Sequence, residues 1–352
     1  MKKFILVLVV IVVIAIFGIL YFVNSKKNFT TTSFSDDIDV VATMDDKISA
    51  DTAWCGTFQL VWNDMIDELV KKDVEFENQL EIVDNLNKRD FTVDNISEEY
   101  YYKKFGVKSI ELKNEIENGI KEKFNETSDV LDSIDWTKVE NRYIFYVMLK
   151  KDFTYEKEFS DLKNGKFAGK YDNIKYFGID DDTDDEVREQ VDVLYYNSKD
   201  DCAVILNTVE GEQVILCKGI NGNNFSEIYD NMKSKAESYA GKTRFGNNDY
   251  LRVPEIEFNI MKEYSELENK IFYSADNDEM EIMKALQTIK LNMDKKGGSI
   301  KSEAVMDLMK MSLVDDEKRN FDFDDEYVMF LQETGREKPY FAMCVNDITK
   351  FQ

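Results

Sequence analysis

Hydrophobic residues first form one continuous run at the N-terminus and then recur in shorter periodic segments. The run covers residues 4–23 without a charged side chain, and a pair of lysines flanks it on each side. Twenty helical residues at about 1.5 Å each span a hydrocarbon core about 30 Å thick, whereas the apolar part of a cleavable signal peptide is shorter. We therefore predict an uncleaved signal anchor over residues 1–27, with a cleaved signal as the alternative. The short N-terminal tail favours an N-terminus inside the cell and a large extracellular domain.

After the anchor, the pattern of polar and apolar positions indicates the N-terminal boundary of the folded domain. Residues 28–47 are rich in Ser, Thr and Asp and predict a short polar stalk, which leaves residues 48–352 as a single ectodomain. Apolar residues spaced three and four apart predict a helix from Thr57 to about Leu69. The same spacing predicts further helices near 112–124 and 225–232.

Dense runs of β-branched, aromatic and other apolar residues predict strands, most of them in the second half of the chain. Their approximate ranges are 142–150, 190–197, 201–208, 213–218, 250–260, 285–293, 326–333 and 339–346. The first of these is apolar at nearly every position and indicates a buried strand. Helices come early and strands late, without the βαβ alternation that a parallel sheet requires. We therefore predict an α+β fold.

Charge and composition exclude several classes of function. The chain has 70 acidic and 45 basic residues, and its net charge of −25 repels the phosphates of nucleic acids. Histidine is absent, which removes the commonest general base and the commonest metal ligand. Serine–histidine and cysteine–histidine nucleophile pairs therefore cannot form within this chain. We expect neither nucleic-acid binding nor an enzyme.

The acidic run at residues 180–186 invites a calcium interpretation, because hard cations prefer several carboxylates. The spacing of an EF-hand is missing, since the sixth position is Asp185 rather than glycine and the twelfth is Val191. The run predicts a solvated loop, and we expect no metal and no cofactor.

The four cysteines lack the spacing of a metal site or of a disulfide-rich scaffold. Cys202 and Cys217 bracket two apolar runs, and a four-residue turn at 208–211 would place them opposite each other in a hairpin. One interpretation is a cross-strand disulfide, which is feasible outside the cytoplasm. The other is a pair of small buried residues in a hairpin.

The last third of the chain follows a recognisable order of segments. A strand at 289–293 leads into Asp294-Lys295-Lys296-Gly297, a polar stretch follows, and a Phe-rich segment begins at Phe321. This order resembles the C-terminus of the serpins, and it closes on a final strand that begins at Pro339. Three earlier segments resemble serpin segments in the same order, namely Tyr101–Glu111, Val191–Leu206 and Leu251–Phe258. With its Lys- and Asn-rich composition, the chain resembles a divergent, bacterial-type member of that superfamily.

The resemblance implies helices around a large mixed central sheet, a C-terminal β region and an exposed reactive-centre loop at about 297–320. In inhibitory serpins a serine or cysteine protease cleaves this loop, and the freed hinge inserts into the sheet. The implied hinge comprises Gly297, Gly298, Ser299, Ile300, Lys301, Ser302, Glu303 and Ala304. The implied scissile bond joins Met311 to Ser312, with Lys310 before it; Met311 suits elastase- or subtilisin-like proteases and Lys310 trypsin-like ones.

The sequence is compatible with two functions, and different residues of the loop favour each of them. Met311-Ser312 as bait favours a membrane-anchored protease inhibitor. The charges of Lys301 and Glu303 in the hinge favour a serpin-fold or other α+β ectodomain that only binds a partner. A cell-envelope enzyme that uses carboxylates is a third, weaker alternative.

Overall fold

A seven-stranded sheet carries most of the apolar core in this computed structural model, which describes residues 37–128, 130–137, 142–298 and 318–352. The helices are α1 (Thr57–Met65, continued by a π-helical turn at Ile66–Val70), α2 (Glu81–Asn87), α3 (Ile110–Phe124), α4 (Asp185–Arg188) and α5 (Phe225–Ser238). The strands are β1 (Asp39–Val41), β2 (Thr52–Cys55), β3 (Tyr101–Val107), β4 (Tyr143–Leu149), β5 (Phe153–Thr154), β6 (Ser160–Phe167), β7 (Tyr171–Ile179), β8 (Val191–Ser198), β9 (Asp201–Asn207), β10 (Glu212–Lys218), β11 (Tyr250–Pro254), β12 (Ile256–Glu263), β13 (Ile271–Tyr273), β14 (Glu279–Glu281), β15 (Leu286–Met293), β16 (Gly297–Gly298), β17 (Asn320–Asp322), β18 (Tyr327–Glu333) and β19 (Phe341–Val345). These described residues belong to one compact unit that begins at Ser35.

The seven-stranded sheet has the order β1-β2-β19-β18-β10-β9-β8. Its ladders are antiparallel except between β1 and β2, so the sheet is mixed. β18 and β19 lie near its centre and are buried along their whole length, which explains their nearly continuous apolar sequences. Helix α5 covers one face with an apolar stripe, and the rings of Phe225 and Phe330 pack at 6.3 Å between centroids.

Two further ladders, β3–β4 and β12–β15, both contact helix α1. Lys103 in β3 forms a 2.7 Å ion pair with Asp64 of α1. The side-chain amide of Gln287 in β15 donates to the hydroxyl of Thr57 in α1 at 2.9 Å. Helix α1 therefore connects both ladders.

A four-stranded sheet with the order β17-β11-β7-β6 completes the main architecture. Its core comes mainly from β7, where Phe177 and Ile179 are fully buried. β17 pairs in parallel with β11, so the segment that follows residue 317 is integrated into this sheet.

The structure confirms most of the predicted elements and the α+β class. The helices at 57–69, 112–124 and 225–232 are present as α1, α3 and α5, and the hairpin strands at 201–208 and 213–218 are β9 and β10. The prediction of a buried strand at 142–150 is wrong in its burial. β4 pairs only with β3 among the described residues, and of its side chains only Tyr146 is buried.

The predicted stalk at 28–47 is wrong in its second half. Residues 39–41 form β1 in the large sheet, and Val40 and Val41 are buried. The fold thus begins before residue 48. No helix of the described residues is long and apolar enough to cross a membrane, and the predicted span 4–23 lies outside them.

Candidate functional site

The C-terminal ends of β4 and β15 meet at the start of the predicted loop. β16, which follows β15, pairs with β5, which follows β4. The amide of Tyr155 donates to the carbonyl of Lys296 at 3.1 Å, and that of Phe159 donates to Lys295 at 2.9 Å. The segments that follow β4 and β15 therefore meet at one place, which we call the N-terminal base of the loop: residues 294–298 with 153–159.

Gly297 at this base needs to be glycine. Its φ of +103° is a conformation that residues with a Cβ rarely adopt. A Cβ at this position would lie 2.4 Å from the carbonyl oxygen of Phe153 and 2.8 Å from the Cα of Thr154. The tight turn from Asp294 to Gly297 and the close approach of β5 thus explain the first of the two glycines that the resemblance assigned to the hinge.

Side-chain contacts at the N-terminal base lie at the surface. Lys295 pairs with Glu158 at 2.9 Å and with Asp161 at 2.6 Å, and both carboxylates are largely exposed. The hydrogen bonds with Asp161 and Glu158 raise the pKa of Lys295 above its usual value. Exposed ion pairs stabilise a fold by less than about 1 kcal/mol, so this base is held mainly by backbone hydrogen bonds.

The other end of the loop is attached through an arginine whose side chain is largely buried. The guanidinium of Arg319 donates to both carboxylate oxygens of Asp249, at 2.6 to 3.2 Å. It also donates to the carbonyls of Lys242 and Arg244, both at 2.6 Å. The side chains of Arg319 and Asp249 are 11% and 1% exposed. We call residues 319–324 with these partners the C-terminal base.

Two further contacts extend the C-terminal base along β17. Arg252 of β11 makes a bidentate pair with Asp322, at 2.6 and 2.8 Å, and reaches Asp324 at 2.8 Å. Burial raises the pKa of Asp322, and Arg252 opposes that shift. The fully buried ring of Phe321 packs against Tyr196, with 4.9 Å between centroids.

The predicted site residues divide into two groups. Gly297 and Gly298 are described and lie at the N-terminal base. The remaining hinge and bait residues lie outside the described residues: Ser299, Ile300, Lys301, Ser302, Glu303, Ala304, Lys310, Met311 and Ser312. Sequence reasoning missed Arg319 and Asp249, although a basic residue shortly before the Phe-rich segment that begins at Phe321 was a usable signal.

The first interpretation of Cys202 and Cys217, a cross-strand disulfide, is wrong, since all four cysteines are free and buried. The ladder of β9 and β10 places Cys202 opposite Lys218 and Cys217 opposite Ala203. Adjacent residues of a strand point to opposite faces, so the two thiols lie on different sides of the sheet. The second interpretation, two buried residues in a hairpin, describes the structure.

The acidic run at 180–186 has a local structural role. The carboxylate of Asp180 accepts hydrogen bonds from the amide of Asp182 and the hydroxyl of Thr183, at 3.1 and 2.9 Å. Asp180 thereby closes the turn that leads into α4. Within the described ranges, no group of three or more Cys, Asp and Glu side chains could hold a metal ion.

A cavity of about 620 Å³ lies between α5 and the large sheet. Apolar side chains form much of its lining, among them Trp54, Phe91, Ile205, Ile215 and Met232. Asp230 and Lys233 of α5 also line it. Its size is within the range of small-molecule sites.

Comparison with solved structures identifies serpins. A highly specific serpin of the insect Tenebrio molitor matches with a TM-score of 0.52 at 10% identity, over 85% of this chain and 92% of that one. The native thermophilic serpin tengpin matches with a TM-score of 0.50 at 11% identity, over 87% and 90%. No protein-family model and no curated protein sequence matches this chain. The matched structures and the order of segments in the sequence agree, and this chain has the serpin fold.

Proposed function

We propose that this protein is a membrane-anchored protease inhibitor of the serpin type. Residues 4–23 hold it in the membrane with the N-terminus inside, and the folded domain lies outside the cell. Residues of about 297–320 serve as bait for a serine or cysteine protease, with cleavage between Met311 and Ser312. The observation that carries the proposal is that Gly297 and Gly298 lie where the segments that follow β4 and β15 meet.

The arrangement of the two ladders supports insertion of the loop. Within the described ranges, β4 has a ladder only with β3, and β15 only with β12. A strand placed between β4 and β15 would join the two ladders into one sheet. β15 has 8 residues and is about 27 Å long. The 14 residues 298–311 reach about 46 Å when extended, which is enough to cover it.

The sequence of the hinge allows this strand to be half buried. Alternation places Gly298, Ile300, Ser302 and Ala304 on one face, and Lys301 and Glu303 on the other. The first face can enter the core while the charges remain in water, so burial would not leave an unpaired charge.

The test is to mix the full-length chain, in mild detergent, with elastase, subtilisin and trypsin. We expect a covalent complex that survives denaturing electrophoresis, and a cleaved form that melts tens of degrees higher because insertion adds a central strand. Met311→Glu should abolish the complex with elastase, while Met309→Glu, two residues away, should leave it. Cleavage near Met311 without a complex and without a higher melting temperature would reject the inhibitor function.

The cavity favours a second function, a binding module that does not inhibit. A small molecule with an apolar body would contact Trp54 and Ile215, and its polar end would reach Asp230 or Lys233. Screening metabolites by thermal shift would detect such a ligand. Met232→Trp should fill the cavity and remove the shift, whereas the same change at the exposed Met283 should not.

A further inference from the structure

Three charged side chains form a buried cluster above the end of β4. The ammonium of Lys151 lies 2.5 Å from the carboxylate of Glu212 and 2.8 Å from that of Glu333. The side chains of the three residues are 2%, 0% and 7% exposed. The ammonium also lies 3.9 Å from the centroid of the Tyr100 ring. We call Lys151, Glu212 and Glu333 the charge cluster.

The charge cluster connects the β3–β4 ladder to the seven-stranded sheet. Glu212 begins β10, and Glu333 lies opposite it at the end of β18. Lys151 lies two residues after the end of β4. Ser97, shortly before β3, donates its amide and its hydroxyl to Glu333 at 3.1 and 2.6 Å. Both strands of the small ladder are therefore attached to the large sheet through these two carboxylates.

One ammonium cannot neutralise two buried carboxylates. The second negative charge therefore has to be balanced by other hydrogen-bond donors or removed by protonation. Glu333 accepts hydrogen bonds from Lys151 and from Ser97, and Arg336 lies 3.4 Å away. These contacts outweigh the effect of burial and lower the pKa of Glu333. Burial raises the pKa of Glu212 to about 7, although Lys151 and the hydroxyl of Tyr340 oppose the shift. The charged and titratable groups that act on Glu212 are Lys151, Glu333, Tyr100 and Tyr340, while Arg336 pairs with Glu333.

The composition of the chain makes this residue distinctive. Unperturbed carboxylates titrate near pH 4, and lysines and tyrosines titrate above pH 10. Histidine, the residue that normally titrates near neutrality, is absent from the whole sequence. The carboxyl of Glu212, with its pKa of about 7, therefore titrates in the pH range in which histidine titrates in other proteins.

We propose that Glu212 makes the attachment of β3 and β4 sensitive to protons. When Glu212 is protonated, the charge cluster contains one positive and one negative charge and holds the small ladder against the large sheet. When Glu212 loses its proton, a second negative charge is buried at the same place and weakens that attachment. Because β4 borders the position where the loop would insert, alkaline pH would favour insertion; this last consequence rests on the proposed function, while the pH-sensitive attachment does not.

Unfolding by urea at several pH values tests the proposal on the full-length chain in mild detergent. The proton binds the folded state more tightly than the unfolded state, so acid stabilises the fold and stability falls as the pH rises. Between pH 5.5 and 7 the unfolding constant should rise about tenfold per pH unit and then level off. Glu212→Gln should remove this dependence, and Glu257→Gln, an exposed glutamate of β12, should retain it. A flat wild-type profile, or the same slope in Glu212→Gln, would overturn the proposal.

Hydrogen exchange gives a local measurement that needs no variant and no protease. Protection factors, corrected for the intrinsic pH dependence of exchange, should fall between pH 6 and 8 by more in β3 and β4 than in α5, where only the loss of global stability contributes. Equal changes in all three elements would contradict a local attachment. If Glu212→Gln does not fold, a carbon-13 titration of the wild-type glutamate carboxyls decides: one titration near pH 7 supports the proposal, and none between 6 and 8 overturns it. Protease inhibition enters none of these measurements, so failure of the proposed function would leave them unaffected.

Discussion

The two bases of the loop are attached by different means. The N-terminal base depends on a two-residue ladder, a glycine turn and the exposed pairs of Lys295. The C-terminal base depends on the buried pair of Arg319 with Asp249 and on a strand within a four-stranded sheet. Buried charge pairs are costly to break, whereas short ladders and exposed pairs open readily. We expect the N-terminal base to open more readily than the C-terminal base, which is what the proposed insertion of the loop from its N-terminal side requires.

The largest effect is expected for the C-terminal base. Arg319→Ala would leave the carboxylate of Asp249, which is 1% exposed, without its main partner. We expect a loss of about 3–5 kcal/mol in the free energy of unfolding, measured with urea. The neighbouring Lys318→Ala is the control, because Lys318 and Asp181 form an exposed pair that contributes less than about 1 kcal/mol. Equal losses in the two variants would show that Arg319 is no stronger an attachment than a surface pair.

An intermediate effect is expected for the turn of the N-terminal base. Gly297→Ala would place a Cβ 2.4 Å from the carbonyl oxygen of Phe153, in a backbone conformation that alanine disfavours. We expect a loss of about 1–3 kcal/mol, together with faster proteolysis of the 294–298 segment. The matched control is Gly335→Ala, since Gly335 has a φ of +82° but open space around it. If the two variants lose the same stability, the close approach of β5 contributes nothing beyond backbone strain.

The smallest effect is expected for Lys295. Lys295→Ala removes two pairs whose carboxylates belong to exposed side chains, so the free energy of unfolding should change by less than about 1 kcal/mol. A double-mutant cycle with Asp161→Ala measures the pair separately from other effects of the substitutions. A coupling above 2 kcal/mol would mean that side chains hold the N-terminal base as firmly as the C-terminal base, and the two bases would then not differ in strength of attachment.

The sequence predicted the long apolar elements well, because the spacing of apolar residues in a long segment indicates helix or strand whichever element it packs against. The sequence-based prediction was wrong where a single residue determines the length of a loop and so the register of two strands. The hairpin of β9 and β10 was predicted with a four-residue turn, but its loop consists of Val209–Gly211 and is closed between Thr208 and Glu212. Gly211, with a φ of +76°, permits this three-residue loop. The single-residue difference shifts the register and separates Cys202 from Cys217.

Other features depended on contacts that a local pattern cannot contain. β6 was missed because Lys163, Gly165 and Lys166 interrupt it, and its pairing with β7 compensates for that poor strand propensity. β1 was missed because three residues carry no periodicity, and only the partner β2 makes them a strand. Of the charge cluster, the sequence indicates only Glu212, an acidic residue at the start of the apolar strand β10. Its partners Lys151 and Glu333 come from distant parts of the chain.

The four buried thiols give this fold an internal reporter of its own opening. Burial raises the pKa of Cys202 and of Cys344 to about 12, and that of Cys55 also lies above its usual value. A thiol reagent therefore meets neither an accessible sulfur nor a reactive thiolate while the chain is folded. Cys55 lies in β2, Cys344 in β19, and Cys202 and Cys217 in the hairpin of β9 and β10. The order in which they are alkylated would show which part of the large sheet separates first, and no foreign label has to be introduced.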